Sequence, residues 1–96
     1  MQALSEVQTI LSHAKPELTQ KYPIKSLGIF GSYVRGTANE TSDLDILVQF
    51  DKPIGLDFVV LAEELETLLK IKVDLVSRNA ISSRMWPYVK ENLVYV

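Results

Sequence analysis

Ser42-Asp43-Leu44-Asp45-Ile46-Leu47-Val48-Gln49-Phe50 is the segment on which the reading of this chain turns. Successive side chains of a strand point to opposite faces. Leu44, Ile46, Val48 and Phe50 therefore share one face of a predicted strand, and Asp43 and Asp45 share the other. Upstream, Ile24 to Phe30 reads as a second strand, stopped by Gly31. Downstream, after the loop Asp51-Lys52-Pro53-Ile54-Gly55, residues 56–70 carry Leu61, Leu65, Leu68 and Leu69 at helical spacing, toward a core. Ile71 to Ser77 then repeats the first pattern: Ile71, Val73 and Leu75 share one face, and Asp74 lies opposite.

The remaining elements follow the same rules. Leu4, Val7, Leu11, Ala14 and Leu18 mark an amphipathic helix over residues 4–20, which Pro16 is expected to shorten or kink. Residues 32–37 form a short helix or turn, and 38–41 a loop. The pattern over 80–92 is helical, and Pro87 is expected to split it into two pieces. Leu93 to Val96 reads as a terminal edge strand. A strand–helix–strand passage over 42–77 makes a right-handed crossover between parallel strands. Both acid-bearing strands then turn their apolar faces to one helical layer, and Asp43, Asp45 and Asp74 emerge together on the other side. The predicted class is α/β (α+β), with helices packed on a small sheet.

This placement has chemical consequences. Two carboxylates on one strand face repel each other unless a cation lies between them. Mg²⁺ prefers oxygen ligands and keeps phosphate oxygens as co-ligands. Asp-x-Asp alone is common, and the plain reading is two solvated acids on an exposed edge. The turn Gly31-Ser32, ten residues before Asp43, shifts that balance. Glycine lets a phosphate approach the backbone, and Ser32 adds a hydroxyl donor. Asp74 supplies a third carboxylate, able to bind a metal or to accept a proton from an incoming hydroxyl. Arg35 can steady a triphosphate or a neighbouring acid. Together these residues suit two-metal phosphoryl transfer. Gly36 reads as a residue needing positive φ, and Ser42 as a loop cap. His13 is read as a surface residue, Trp86, Tyr88 and Tyr95 as core, with contact to a partner as the alternative, and Glu63, Glu64 and Glu66 as a solvated helix face.

Composition narrows the field. Ninety-six residues, 47% of them hydrophobic, suffice for one domain (1–96) with a real core, and not for a second substrate domain. The formal charge is −2 with no basic block, so direct nucleic-acid binding is not expected. There is no cysteine, which excludes disulfides, thiolate zinc sites and cysteine nucleophiles; one histidine excludes most imidazole metal sites. Neither a signal peptide nor a membrane-spanning run is seen, and a cytoplasmic location is expected.

The segments Gly31-Ser32-Tyr33-Val34-Arg35-Gly36-Thr37-Ala38 and Ser42-Asp43-Leu44-Asp45-Ile46-Leu47-Val48 resemble the signature of DNA polymerase beta-like nucleotidyltransferases. The short length is similar to the minimal nucleotidyltransferases (MNT), including the antitoxin halves of HEPN/MNT toxin–antitoxin pairs. Asp74 and the closing Leu93-Val94-Tyr95-Val96 extend the similarity over most of the chain. The resemblance implies that the sheet is mixed and three-stranded, with room for a short fourth strand. It implies that Asp43, Asp45 and Asp74 bind two Mg²⁺ ions and that Gly31 and Ser32 hold the triphosphate of ATP. It further implies transfer of AMP to a hydroxyl, a tyrosine of a HEPN-domain toxin, by an antitoxin of the type VII kind that could also assemble with that toxin. Two rivals stand beside it. One is a module that silences its partner by masking it, with the site idle. The other is a small-molecule transferase of the aminoglycoside-modifying sort, which the short length disfavours. A nucleotide-adding enzyme acting on nucleic acid is disfavoured by the acidic balance.

Overall fold

The computed structural model describes residues 3–96. Helix α1 (Leu4–Lys21) leads into β1 (Ile24–Phe30), the one-turn helix α2 (Ser32–Arg35) and β2 (Leu44–Phe50). Helix α3 (Asp57–Leu69) and β3 (Val73–Ser77) follow, then a 3₁₀ turn over Arg78–Ala80, α4 (Trp86–Glu91) and β4 (Val94–Tyr95). The four strands form one mixed sheet in the order β3-β2-β1-β4. β2 lies antiparallel to β1 and parallel to β3, as the predicted crossover requires, and β4 pairs antiparallel with β1.

One sheet face carries the core. Leu27, Ile29, Leu44, Ile46 and Val48 pack with Val7, Leu11 and Leu18 of α1 and with Leu61, Leu65 and Leu69 of α3. Each fully buried aliphatic side chain contributes roughly 1.5–3 kcal/mol, so this layer fixes how β1, β2 and β3 lie side by side.

Several local expectations needed correction. Pro16 neither ends nor shortens α1, which runs on to Lys21. The ring is exposed, and burying Leu18 two residues later anchors the last turn. Leu68 is 38% exposed rather than core. Positions 61, 65 and 69 make the inward stripe at i, i+4 and i+8, and Leu68 falls beside it. Pro87 does not divide a helix; it sits in the first turn of α4, where its missing N–H costs nothing. β2 begins at Leu44 and β3 at Val73, each two residues later than predicted. The loop before β2 explains the first: Asn39 Oδ1 accepts from Thr41 N–H at 2.9 Å, and Ser42 Oγ accepts from Asn39 N–H at 3.0 Å. Ser42 therefore ties the loop, as read.

Tyr88 and Tyr95 are 68% and 57% exposed, against the core role predicted for them. They stand on a short helix and a two-residue edge strand, with too little neighbouring structure to cover them. Trp86 is partly buried beneath the Arg78 guanidinium, 3.8 Å from the ring centroid. His13 is exposed, as expected. Among the described residues no helix is long and apolar enough to cross a membrane.

Candidate active site

The site lies where β1 ends and β2 and β3 begin. β1 delivers the chain to Gly31, whose φ of 78° and ψ of −148° suit glycine almost alone. The carbonyl of Gly31 accepts from Val34 and Arg35, both at 3.1 Å, so α2 starts directly off the strand. Gly36 closes α2 at φ 77° in the left-handed region, the positive φ expected of it.

Sheet register assembles the acids. Phe30 of β1 pairs with Asp45 of β2, and Asp45 pairs with Asp74 of β3. Asp45 and Asp74 are therefore neighbours across a parallel ladder, on the face opposite the core. Asp43 precedes β2 by one residue and is exposed, as is Asp74; Asp45 is half-buried. A Cβ built on Gly31 would fall 3.0 Å from Cγ of Asp45, so the glycine turn presses directly on this carboxylate.

The electrostatics follow from that crowding. The Asp45 pKa is pushed up from 3.8 to about 6. Burial is the largest cause, followed by the charge of Asp74, a hydrogen bond with Asp74 and the charge of Asp43; the positive charge of Arg35 opposes them. Two carboxylates and one guanidinium thus act on a third carboxylate. Desolvation and like charges at one carboxyl are a frequent mark of functional sites.

The donor set fits a hard divalent cation: it offers carboxylate oxygens only, and they repel one another where they meet. Among the described residues, no three His, Cys, Asp or Glu side chains already form a set that could hold one metal ion. Asp45 is hydrogen-bonded to Asp74 instead. A cation there would offset the like charges of Asp45 and Asp74.

All six predicted site residues thus gather at this end of the sheet. Gly31, Asp45, Asp74 and Asp43 meet directly or electrostatically, Arg35 acts through charge, and Ser32 opens α2 beside Gly31. Two features escaped the sequence reading. Lys72 stands one residue before β3, its carbonyl accepting from Leu44 N–H at 2.8 Å, and lines a groove with Asp43. Glu64 and Glu66, read as solvated, are engaged. Glu64 accepts from Lys21 Nζ and Tyr22 Oη, both at 2.9 Å, and Glu66 accepts from Val73 N–H at 2.9 Å. Only the packing of α1 and β3 against α3 brings those partners together.

Residues 11–95 match the model of the nucleotidyltransferase domain family. The protein adenylyltransferase MntA of Thermococcus cleftensis is 44% identical over 97 residues, covering 100% of this chain and 98% of that protein. A chain from the crystal structure of a toxin–antitoxin with AMP-PNP superposes with a TM-score of 0.71 at 26% identity, over 86% of this chain and 69% of that one. A chain from a tri-AMPylated HEPN toxin of Shewanella oneidensis in complex with an MNT antitoxin shares the fold, with a TM-score of 0.69 at 23% identity, over 93% of this chain and 70% of that one.

Proposed function

The chain belongs to the nucleotidyltransferase domain family, and from that premise we propose that it is a Mg²⁺-dependent protein adenylyltransferase, an antitoxin that moves AMP from ATP to a tyrosine hydroxyl of a HEPN-domain toxin. The observation that carries this reading is the contact of Gly31 with Asp45, which is in turn paired with Asp74. A glycine turn beside the centre of an acidic trio supports a site for a metal-bound triphosphate. The similarity to an adenylyltransferase, and to a toxin–antitoxin structure holding an ATP analogue, supports the nucleotide and the class of partner.

Asp43, Asp45 and Asp74 are the residues that would hold two Mg²⁺ ions, whose chemistry when bound is to neutralise charge on the triphosphate. Gly31 lets the phosphates approach the backbone. Ser32 donates its hydroxyl to them, and Arg35 faces the leaving pyrophosphate. The acceptor hydroxyl attacks the α-phosphorus, and its proton is drawn to Asp74. The new O–P bond forms as the bond to pyrophosphate breaks. Positioning and charge, rather than a covalent enzyme intermediate, supply most of the catalysis.

The test is incubation of the chain with a HEPN-domain toxin, Mg²⁺ and α-labelled ATP. Label on a toxin tyrosine is expected, and Asp43→Asn with Asp45→Asn removes it while the fold persists. Toxin inhibition without any label would replace this reading with masking. A double mutant that still transfers label would end the catalytic assignment.

A further inference from the structure

We infer that Lys72, with Lys70 beside it, is an acceptor-side anion contact that holds an acidic segment of the protein carrying the acceptor hydroxyl. This rests on the nucleotidyltransfer reading and adds to it the side from which the acceptor enters.

The argument starts from the direction of attack. An in-line displacement puts the entering and leaving oxygens on opposite sides of the α-phosphorus. Gly31, Ser32 and Arg35 sit at the end of β1, on one side of Asp45, and Asp74 sits on the other side, in β3. Pyrophosphate held on the β1 side leaves the β3 side for the acceptor.

Lys72 stands there. Its carbonyl accepts from Leu44 N–H at 2.8 Å, one step before the Leu44–Val73 pair, so Lys72 lies across from Asp43. Its side chain lines the same groove as Asp43. Lys70 adopts φ 59° at the end of α3, with its N–H on the Glu66 carbonyl at 2.8 Å, which fixes the point from which its side chain leaves. Both side chains are exposed, and among the described residues neither has an ion-pair partner. Lys70, Lys72, Ser42 and Asp43 line one groove of about 450 Å³, in which Asp43 is the member of the acidic trio.

Glu40 and Thr41 of the loop before β2 line the groove as well. Lys70 and Lys72 bring to it, from the segment between α3 and β3, two cations that have no ion-pair partner among the described residues, and an anionic segment would set its charge against them. Two lysines are a local contact and not the basic stripe that a nucleic-acid backbone needs. The chain's net charge of −2 points the same way. A peptide bearing Asp or Glu near its acceptor hydroxyl therefore fits better than an RNA end.

The experiment compares the wild-type chain, Lys70→Glu with Lys72→Glu, and Lys70→Arg with Lys72→Arg. Each is assayed with a HEPN-domain toxin and α-labelled ATP over a salt series, and ATP binding is measured separately by calorimetry. Charge reversal is expected to raise KM for the toxin about tenfold and to flatten its salt dependence. The affinity for ATP stays within about twofold, and the arginine pair restores the wild-type KM. An unchanged toxin KM and salt slope would overturn the inference. So would a parallel loss of ATP affinity, which would make the groove a nucleotide subsite, or label entering RNA in place of protein. A wild-type chain that labels nothing removes the nucleotidyltransfer reading itself, whereas labelling indifferent to both lysines removes only this inference.

Discussion

The carboxylate of Asp45 fills the space in which a side chain on Gly31 would begin: an ideal Cβ there would lie 3.0 Å from Asp45 Cγ and 3.3 Å from its Cβ. The turn and the central acid are thus one unit. Gly31→Ala forces a side chain into that carboxylate and into a glycine-only backbone region, at about 1–3 kcal/mol for the backbone alone. Gly36→Ala meets open space at a similar φ and carries only the milder left-handed penalty of roughly 1–2 kcal/mol. Transfer activity and urea midpoints measured on both variants should separate them: Gly31→Ala inactive and clearly destabilised, Gly36→Ala active.

The raised pKa of Asp45 predicts how stability responds to pH. The native state holds a proton on this group up to about pH 6, whereas the unfolded chain releases it near 3.8. Between those values the native state binds more protons, so this group's contribution to stability falls as pH rises from about 4 to 6. With metal absent, Asp45→Asn should therefore be more stable than wild type at pH 7.5. Solvent screening of a half-exposed group reduces the gain to on the order of 1 kcal/mol. The gain should vanish near pH 4. Thermal melts in chelator at both pH values check this, and a destabilised Asp45→Asn at pH 7.5 would contradict it.

Tyr22 is buried and donates its hydroxyl to Glu64 at 2.9 Å, while exposed Lys21 pairs with the other carboxylate oxygen. The Lys21 hydrogen bond is the first cause holding the Glu64 pKa below its usual value; burial opposes it and the Tyr22 bond adds to it. The network is at full strength above the ordinary carboxylate pKa and fades as pH falls through the lowered one. Tyr22→Phe should cost about 1 kcal/mol at pH 7 and less at pH 3. Lys21→Ala should cost less than Tyr22→Phe, because both partners of a surface pair already meet water. Neither change should alter AMP transfer, since the network ties α1 to α3 on the core side of the sheet.

Gly28 pairs with Tyr95, and a Cβ on it would meet Leu93 Cδ1 at 2.8 Å, the Val94 carbonyl oxygen at 3.3 Å and Tyr95 Cδ1 at 3.4 Å. The Leu93 methyl can move, but the Val94 backbone cannot without loosening the ladder. Gly28→Val should thus release β4. Faster amide exchange at Val94 and Val96, whose N–H groups face β1, with β1–β2 exchange unchanged, is the expected signature; uniform protection would refute it.

Much of this was legible in the chain. The two-residue period of Leu44, Ile46 and Val48 against Asp43 and Asp45 reported strand and face together, and Asp74 repeated the pattern. The helices of residues 4–21 and 57–69 followed from their apolar stripes. The misreadings fall where one dimension carries too little information. Leu68 looks like Leu69 until the helix is docked. Pro87 breaks or begins a helix according to where the turn starts. Glu64 looks solvated until the end of α1 is laid beside it, and Tyr88 and Tyr95 look like core until the sheet is seen to end there.

The sequence by itself determined which face of each strand the acids occupy and which turn precedes them, because local geometry fixes side-chain direction from spacing alone. Only the tertiary structure decided that Asp45 stands between Gly31 and Asp74. Strand order and register come from how α1 and α3 bury their leucines on one sheet, a sum over contacts distant in the chain that no local pattern encodes.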